Sequence, residues 1–129
     1  MLFRLLLLWV AGVAAGEPQP PHVQLREVPQ YVDKTVTVTF VVRALSTSKE
    51  ALLILHSKED PGDQDNVSVI VLRQDLREFN ETRWDDKKTA AAHFQGKRIS
   101  ATGKVRRKNG RYEVIVRKRI HLATASSPS

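Results

Sequence analysis

Four histidines are the first residues to weigh for chemistry, and their placement argues against it. His22, His56, His93 and His121 lie far apart in the chain. None forms the i, i+4 pair that sets two imidazoles on one helix face to hold zinc. His56, Ser57 and Asp60 contain the residue types of a base, a nucleophile and an acid. Adjacent residues of a strand point to opposite faces, however, so Ser57 is carried away from His56. There is no GxSxG elbow, P-loop or GxGxxG. The lack of cysteine removes thiol nucleophiles and most structural zinc sites. The reading is of a protein without catalytic residues or cofactor, and so not an enzyme. Asp60, Asp63 and Asp65 could offer oxygens to calcium. Their spacing departs from the EF-hand loop and no glutamate closes it at the twelfth position, so Lys58 to Asn66 reads as a solvated turn rather than a metal site.

The cations carry a stronger signal. The chain has a net charge of +7, and ten of its 21 Lys and Arg residues fall between His93 and Leu122. Between Glu59 and Asp86 the balance is reversed and acidic residues predominate. A charge asymmetry inside one domain implies a surface with a basic side, suited to a polyanion. The residues assigned to that surface are Lys97, Lys104, Arg106, Arg107, Lys108, Arg111, Arg117 and Arg119. Their chemistry fits single-stranded nucleic acid, an anionic glycan or a lipid headgroup, each held through charge with little sequence specificity.

These cations sit on a hairpin. Ile99, Ala101, Gly103 and Val105 alternate with Ser100, Thr102, Lys104 and Arg106; Tyr112, Val114 and Val116 alternate with Arg111, Glu113, Ile115 and Arg117. Alternation of this kind puts one row into a core and the other into solvent. Asn109-Gly110 between the runs tolerates the positive φ of a tight turn. Upstream, Tyr31 to Leu45 reads as a first strand long enough to bend and serve two sheet edges. Ala51 to Ser57 is a second strand, too apolar for both faces to be wet, and Val67 to Arg73 a third. An interrupted helical segment follows, capped by Asp75 and running to His93, with Leu76, Phe79, Trp84 and Phe94 closing one end of the core. Trp84 reads as a core plug rather than a base-stacking platform.

The result is an all-β domain with one interrupted helix between its third and fourth strands, the layout of a five-stranded OB-fold Greek-key barrel. The run Phe94-Gln-Gly-Lys-Arg-Ile-Ser-Ala-Thr-Gly-Lys-Val with Asn-Gly-Arg-Tyr-Glu-Val-Ile-Val resembles the fourth and fifth strands of nucleic-acid-binding OB domains. Tyr31-Val-Asp-Lys-Thr-Val-Thr-Val resembles their opening strand. The resemblance implies a ligand face on the second and third strands and the loops beside them. Small exported bacterial OB-fold proteins are similar in size and in lacking cysteine, and they imply a different role: structural, protein-interacting or small-ligand-binding, without nucleic acid.

Export is expected from the N-terminus. Arg4, the apolar run from Leu5 to Val13 and the small residues Ala14 to Gly16 have the pattern of a cleaved signal peptide, too short to span a bilayer. Residues 1–16 are therefore assigned to the signal, 17–28 to an extended leader in which His22 is solvated, 29–122 to the OB domain and 123–129 to a disordered tail. After cleavage the protein would be periplasmic or secreted, with no stable membrane insertion. Asn66-Val-Ser and Asn80-Glu-Thr match the glycosylation acceptor pattern.

Overall fold

The computed structural model describes residues 19–79, 84 and 86–124. The proposed signal segment, the Asn80 acceptor and the last five residues lie outside them. Among the described residues seven strands form one sheet: β1 Thr35–Val41, β2 Ala44–Ser46, β3 Ala51–His56, β4 Val67–Leu72, β5 Arg98–Lys108, β6 Arg111–Ile115 and β7 Leu122–Thr124. Their order is β1-β5-β6-β4-β3-β2, with β7 added to β5. All these pairings are antiparallel except β4 with β6, which run parallel from Val67 opposite Tyr112 to Ile70 opposite Ile115.

The long first strand does bend. Val42 and Arg43 separate β1 from β2, and each half takes a different partner. At the bend, Val42 donates to the Lys97 carbonyl and Arg43 to the His56 carbonyl, so both edges stay bonded. The two ends of the sheet path are thus two halves of one stretch of chain, and the sheet turns back on itself. Alternation in β1 sends Val36, Val38 and Phe40 inward, where they meet Ile99, Ala101 and Val105 of β5 and Val114 of β6.

The helical segment differs from the sequence reading in detail. A short 3-10 turn, Arg73–Asp75, leads into α1, Leu76–Phe79; α2 spans Lys87–Phe94. The cap of α2 is Asp86, whose carboxylate accepts from the Lys88 N–H at 3.0 Å and the Thr89 hydroxyl at 3.0 Å. Asp75, expected as the cap, is turned instead to Arg117. Phe79, Trp84 and Phe94 are buried together, with ring centroids 5.3 Å apart for Phe79–Trp84 and 4.8 Å for Trp84–Phe94. Each such side chain contributes roughly 1.5–3 kcal/mol through the area it removes from water. Leu76, expected among them, is 36% exposed.

Both flanks of the domain are more ordered than composition suggests. Val23 and Val28, placed in the extended leader, are buried in the main core. Val23 donates to the Thr37 carbonyl, Thr37 donates to the Pro21 carbonyl, and residues Leu25–Tyr31 form a 3-10 helix. His22 is exposed but bonds the Thr39 hydroxyl at 3.0 Å. At the other end Ala123 and Thr124, assigned to the tail, pair with Ser100 and Ile99.

Candidate functional site

The β5–β6 hairpin turns through Asn109 (φ 54°) and Gly110 (φ 77°), the two positive values that a tight turn of this hand needs. Its register puts Lys104 opposite Ile115, Arg106 opposite Glu113 and Lys108 opposite Arg111. On the outer face, however, the hairpin is not uniformly basic. Ile115 joins Ala51, Ile70 and Leu72 in a second buried apolar cluster, with Ile54 packed against it. Residues that alternation alone would leave in solvent are covered.

A set of ion pairs also crosses these strands. Glu50 lies in the turn between β2 and β3; its carbonyl accepts from the Arg73 N–H at the far end of β4, while its side chain reaches β5. One carboxylate oxygen accepts from Arg106 Nη2 at 2.9 Å and from Lys108 Nζ at 3.0 Å. Arg106 Nε donates to Glu113 at 2.7 Å. Bonds from Arg106 first, and then from Lys108, lower the Glu50 pKa from 4.5 to about 2.

Two clefts flank this cluster. Beyond the Ile115 end of β6, Lys104, Arg106, Arg117, Lys118 and His121 surround an apolar floor that includes Leu72 and Ile115, in a cleft of about 490 Å³. Asp33 is the one carboxylate in its lining. Arg117 is held by both Asp75 oxygens, at 2.6 and 3.1 Å. Lys104 and Lys118 have no ion-pair partner among the described residues. Around the hairpin tip, Arg26, Lys58 and Arg111 line a second cleft of about 790 Å³ with Leu25, Pro29 and Tyr112, and Asp65 adds one negative charge. Arg111 Nη2 donates to the Gly62 carbonyl at 2.9 Å, and its Nε is buried with no partner.

The eight predicted cations therefore divide. Lys104, Arg106 and Arg117 share the first cleft, Arg111 lines the second, and Lys108 joins Arg106 on Glu50 beside the first. Arg107 is exposed, its guanidinium carbon 6.0 Å from the centroid of Tyr112, its partner across the strands. Lys97 stands apart at the exposed turn into β5, after Gly96. Arg119, in the 3-10 turn Arg119–His121, gives its backbone N–H to Glu78. Arg26, Lys58 and Lys118 were absent from the sequence reading. Lys118 lay inside the basic run, whereas Arg26 and Lys58 come from segments read as leader and turn.

His56 is the centre of a buried polar network, not a triad. Its Nε2 contacts Ser46 Oγ at 2.7 Å and its Nδ1 contacts Ser68 Oγ at 2.9 Å and Asn66 Nδ2 at 3.0 Å. The Lys58 N–H needs the Asn66 oxygen as its acceptor, at 3.1 Å, so the Asn66 amide nitrogen must face the imidazole. That makes Nδ1 an acceptor and places the ring proton on Nε2, directed at Ser46. An imidazole in this tautomer cannot take a proton from Ser46, and Asp60 is bonded instead to the Gly62 N–H at 2.8 Å. Asp63 likewise accepts from the Asp65 N–H at 2.8 Å, so both carboxylates are used in shaping their own loop. Burial lowers the His56 pKa, with the Glu113 charge acting the other way. Asn66 is itself 2% exposed, and its amide nitrogen also donates to the Pro61 carbonyl, which removes this acceptor from glycosylation in the folded domain.

No family model matches the chain, and no curated protein matches it. Solved structures do. The chain is similar to OBody AM1L10 bound to hen egg-white lysozyme, with TM-score 0.57 and 17% identity over 88% of this chain and 100% of that one. It is similar to a chain of the S. pombe Stn1–Ten1 complex, with TM-score 0.50 and 13% identity over 73% of this chain and 60% of that one. Asparaginyl-tRNA synthetase from Pyrococcus horikoshii gives TM-score 0.55 and 20% identity over 83% of this chain and 23% of the synthetase. At such identities the likeness is one of fold: this is an OB-fold β-sheet domain with short helices.

Proposed function

We propose that this protein is a small exported binding module, a closed OB barrel of five main strands (β1 and β2 being two halves of the first, and β7 a short addition to β5) that takes nucleic acid or another polyanion with low sequence specificity. The observation that carries the reading is the pair of cation-lined clefts at the two ends of β6. They are separated by the four-residue step from Arg111 to Ile115, about 13 Å at the rise of a strand. A ligand with several charges can reach both, and each neutralised phosphate or sulfate releases counterions. Low specificity follows from what the surface lacks. Trp84 is buried in the helical corner, and Tyr112, half-buried against the core, is the one Phe, Tyr or Trp ring in the lining of either cleft, too few for a run of stacked bases. The Stn1–Ten1 and synthetase matches support the reading only through their shared fold. The lysozyme-bound OBody shows that a domain of this shape can also hold a protein, which is the competing role.

Retention of the purified protein on single-stranded DNA, on heparin and on anionic vesicles tests this directly. Retention on at least one at low salt, lost at high salt and abolished by reversing Arg26, Lys58 and Arg111 to Glu, is the expected result. Unchanged retention after the reversal, or none at low salt, defeats it.

A further inference from the structure

Arg106 and Lys108 converge on a single oxygen of Glu50, at 2.9 and 3.0 Å, beside the first cleft, whose lining includes Arg106. Glu113 grips Arg106 Nε from the adjacent strand, which leaves both terminal nitrogens of the guanidinium directed at Glu50, the second at 3.5 Å. An arginine held at Nε, with its terminal nitrogens and a lysine aimed at one point, is the donor set that recognises a phosphate or sulfate oxygen. Here a carboxylate of the chain itself fills it.

We infer that Glu50 occupies an anion subsite of the binding surface and is exchanged for a phosphate or sulfate group of the ligand. The inference rests on the polyanion reading and adds to it the place where an anionic group binds and the residue that competes for it. Three features make the exchange feasible. Glu50 and Lys108 side chains are each 47% exposed, so an incoming anion has access. Glu50 lies in a turn and its backbone bond to Arg73 does not depend on the carboxylate. Glu113 remains on Arg106 when Glu50 leaves, so the guanidinium keeps its orientation and the vacated pair of cations outweighs the remaining carboxylate. Arg106 also shares the lining of the first cleft with Leu72 and Ile115, so an anion bound to it lies beside apolar surface where a sugar or base can rest. Glu50 thus discriminates among anions: a group that meets only one of the two cations does not dislodge it.

The test is a titration of inorganic pyrophosphate into the wild-type protein and into Glu50→Gln, read from the Arg106 side-chain Nε–H and Lys108 NMR signals. The substitution keeps size and hydrogen-bonding capacity while removing the competing charge. Pyrophosphate should shift both signals, and bind Glu50→Gln about tenfold more tightly than wild type, a difference of ~1.4 kcal/mol. Arg106→Gln in the same background should erase the gain. Equal affinity for the two proteins, or a shift that spares Arg106, overturns the inference. Heparin or single-stranded DNA run alongside separates it from the broader reading. If heparin binds wild type and Glu50→Gln equally, the polyanion reading stands and the role of Glu50 falls. If pyrophosphate prefers Glu50→Gln while both polymers are ignored, the subsite stands and the polyanion reading falls.

Discussion

The two ends of β6 carry arginines that are fixed in opposite ways. Arg111, at the hairpin tip, is anchored by a neutral partner, the Gly62 carbonyl at 2.9 Å. Arg117, just past the other end, is anchored by the Asp75 carboxylate at 2.6 Å, and Arg106 by two carboxylates. A carbonyl orients a guanidinium and leaves its charge in place; a carboxylate orients it and cancels the field it projects. The tip cleft therefore presents the charge of its arginine, whereas the cleft at the Ile115 end presents mainly that of Lys104 and Lys118. Counting basic residues along the hairpin treats these alike, and the molecule does not.

Gly103 offers the largest disruption, since it removes both clefts at once. A Cβ at this position would overlap the Ile115 carbonyl oxygen and crowd the Val114 side chain, so the close approach of β5 to β6 depends on glycine. Gly103→Ala should destabilise the fold by about 3 kcal/mol, at the upper end for overpacking, because the obstacle is backbone. Urea denaturation followed by tryptophan fluorescence measures it. A loss under ~0.5 kcal/mol, the range of an ordinary surface change, would mean that the strands separate easily. The two ends of β6 would then not be held in fixed relation.

A smaller intervention sets the two arginines against each other. Arg111→Gln should weaken polyanion binding and reduce the salt slope by about 0.7, one phosphate contact to a single strand. Arg117→Gln should leave the slope nearly unchanged, because its charge is already matched by Asp75. Binding isotherms at several salt concentrations read both. Equal losses for the two variants would break the distinction between anchoring by a carbonyl and by a carboxylate. A loss confined to Arg117→Gln would reverse it.

How much of this was legible beforehand depends on the range of the interaction. The hairpin, its turn and the bend of the first strand rest on period-two alternation, Asn-Gly chemistry and strand length, all local, and each appears in the structure. The charge pairing was not legible, because Glu50 and Arg106 are 56 residues apart and Asp75 and Arg117 are 42 apart. Only the folded sheet brings them together. The same reason hid Arg26 and Lys58: they line the tip cleft because the Leu25–Tyr31 turn and the 58–66 loop converge on β6, and neither segment has a periodicity that announces it. Val23 and Val28 were misplaced in a leader because three nearby prolines dominate the composition. Proline, however, restricts the backbone without preventing its neighbours from packing.

The smallest predicted effect sharpens the contrast by acidity. His56 is neutral in the folded protein, accepts at Nδ1, and through Asn66 ties down the 58–66 loop that walls the tip cleft. Protonation would set an Nδ1–H against the Asn66 amide, and burial accordingly lowers the His56 pKa below its ordinary 6.5. In that window the unfolded chain binds more protons than the folded one, so stability must fall as pH drops below 6.5 and level off once the folded pKa is passed. Glu50 behaves differently. Its carboxyl is held from 4.5 down to about 2, so its contribution is complete above 4.5 and is lost only as pH falls toward about 2. A melting-temperature profile between pH 7 and pH 5 should therefore slope through His56, and His56→Gln should flatten it. In the same interval the NMR signals of loop 58–66 should broaden or shift, while the Arg106 Nε–H signal feels His56 only through the Glu113 charge and should shift far less, without broadening. If Arg106 moves with the loop, the tip cleft and the Glu50 cluster are one cooperative unit, and the molecule has a single cationic surface rather than two.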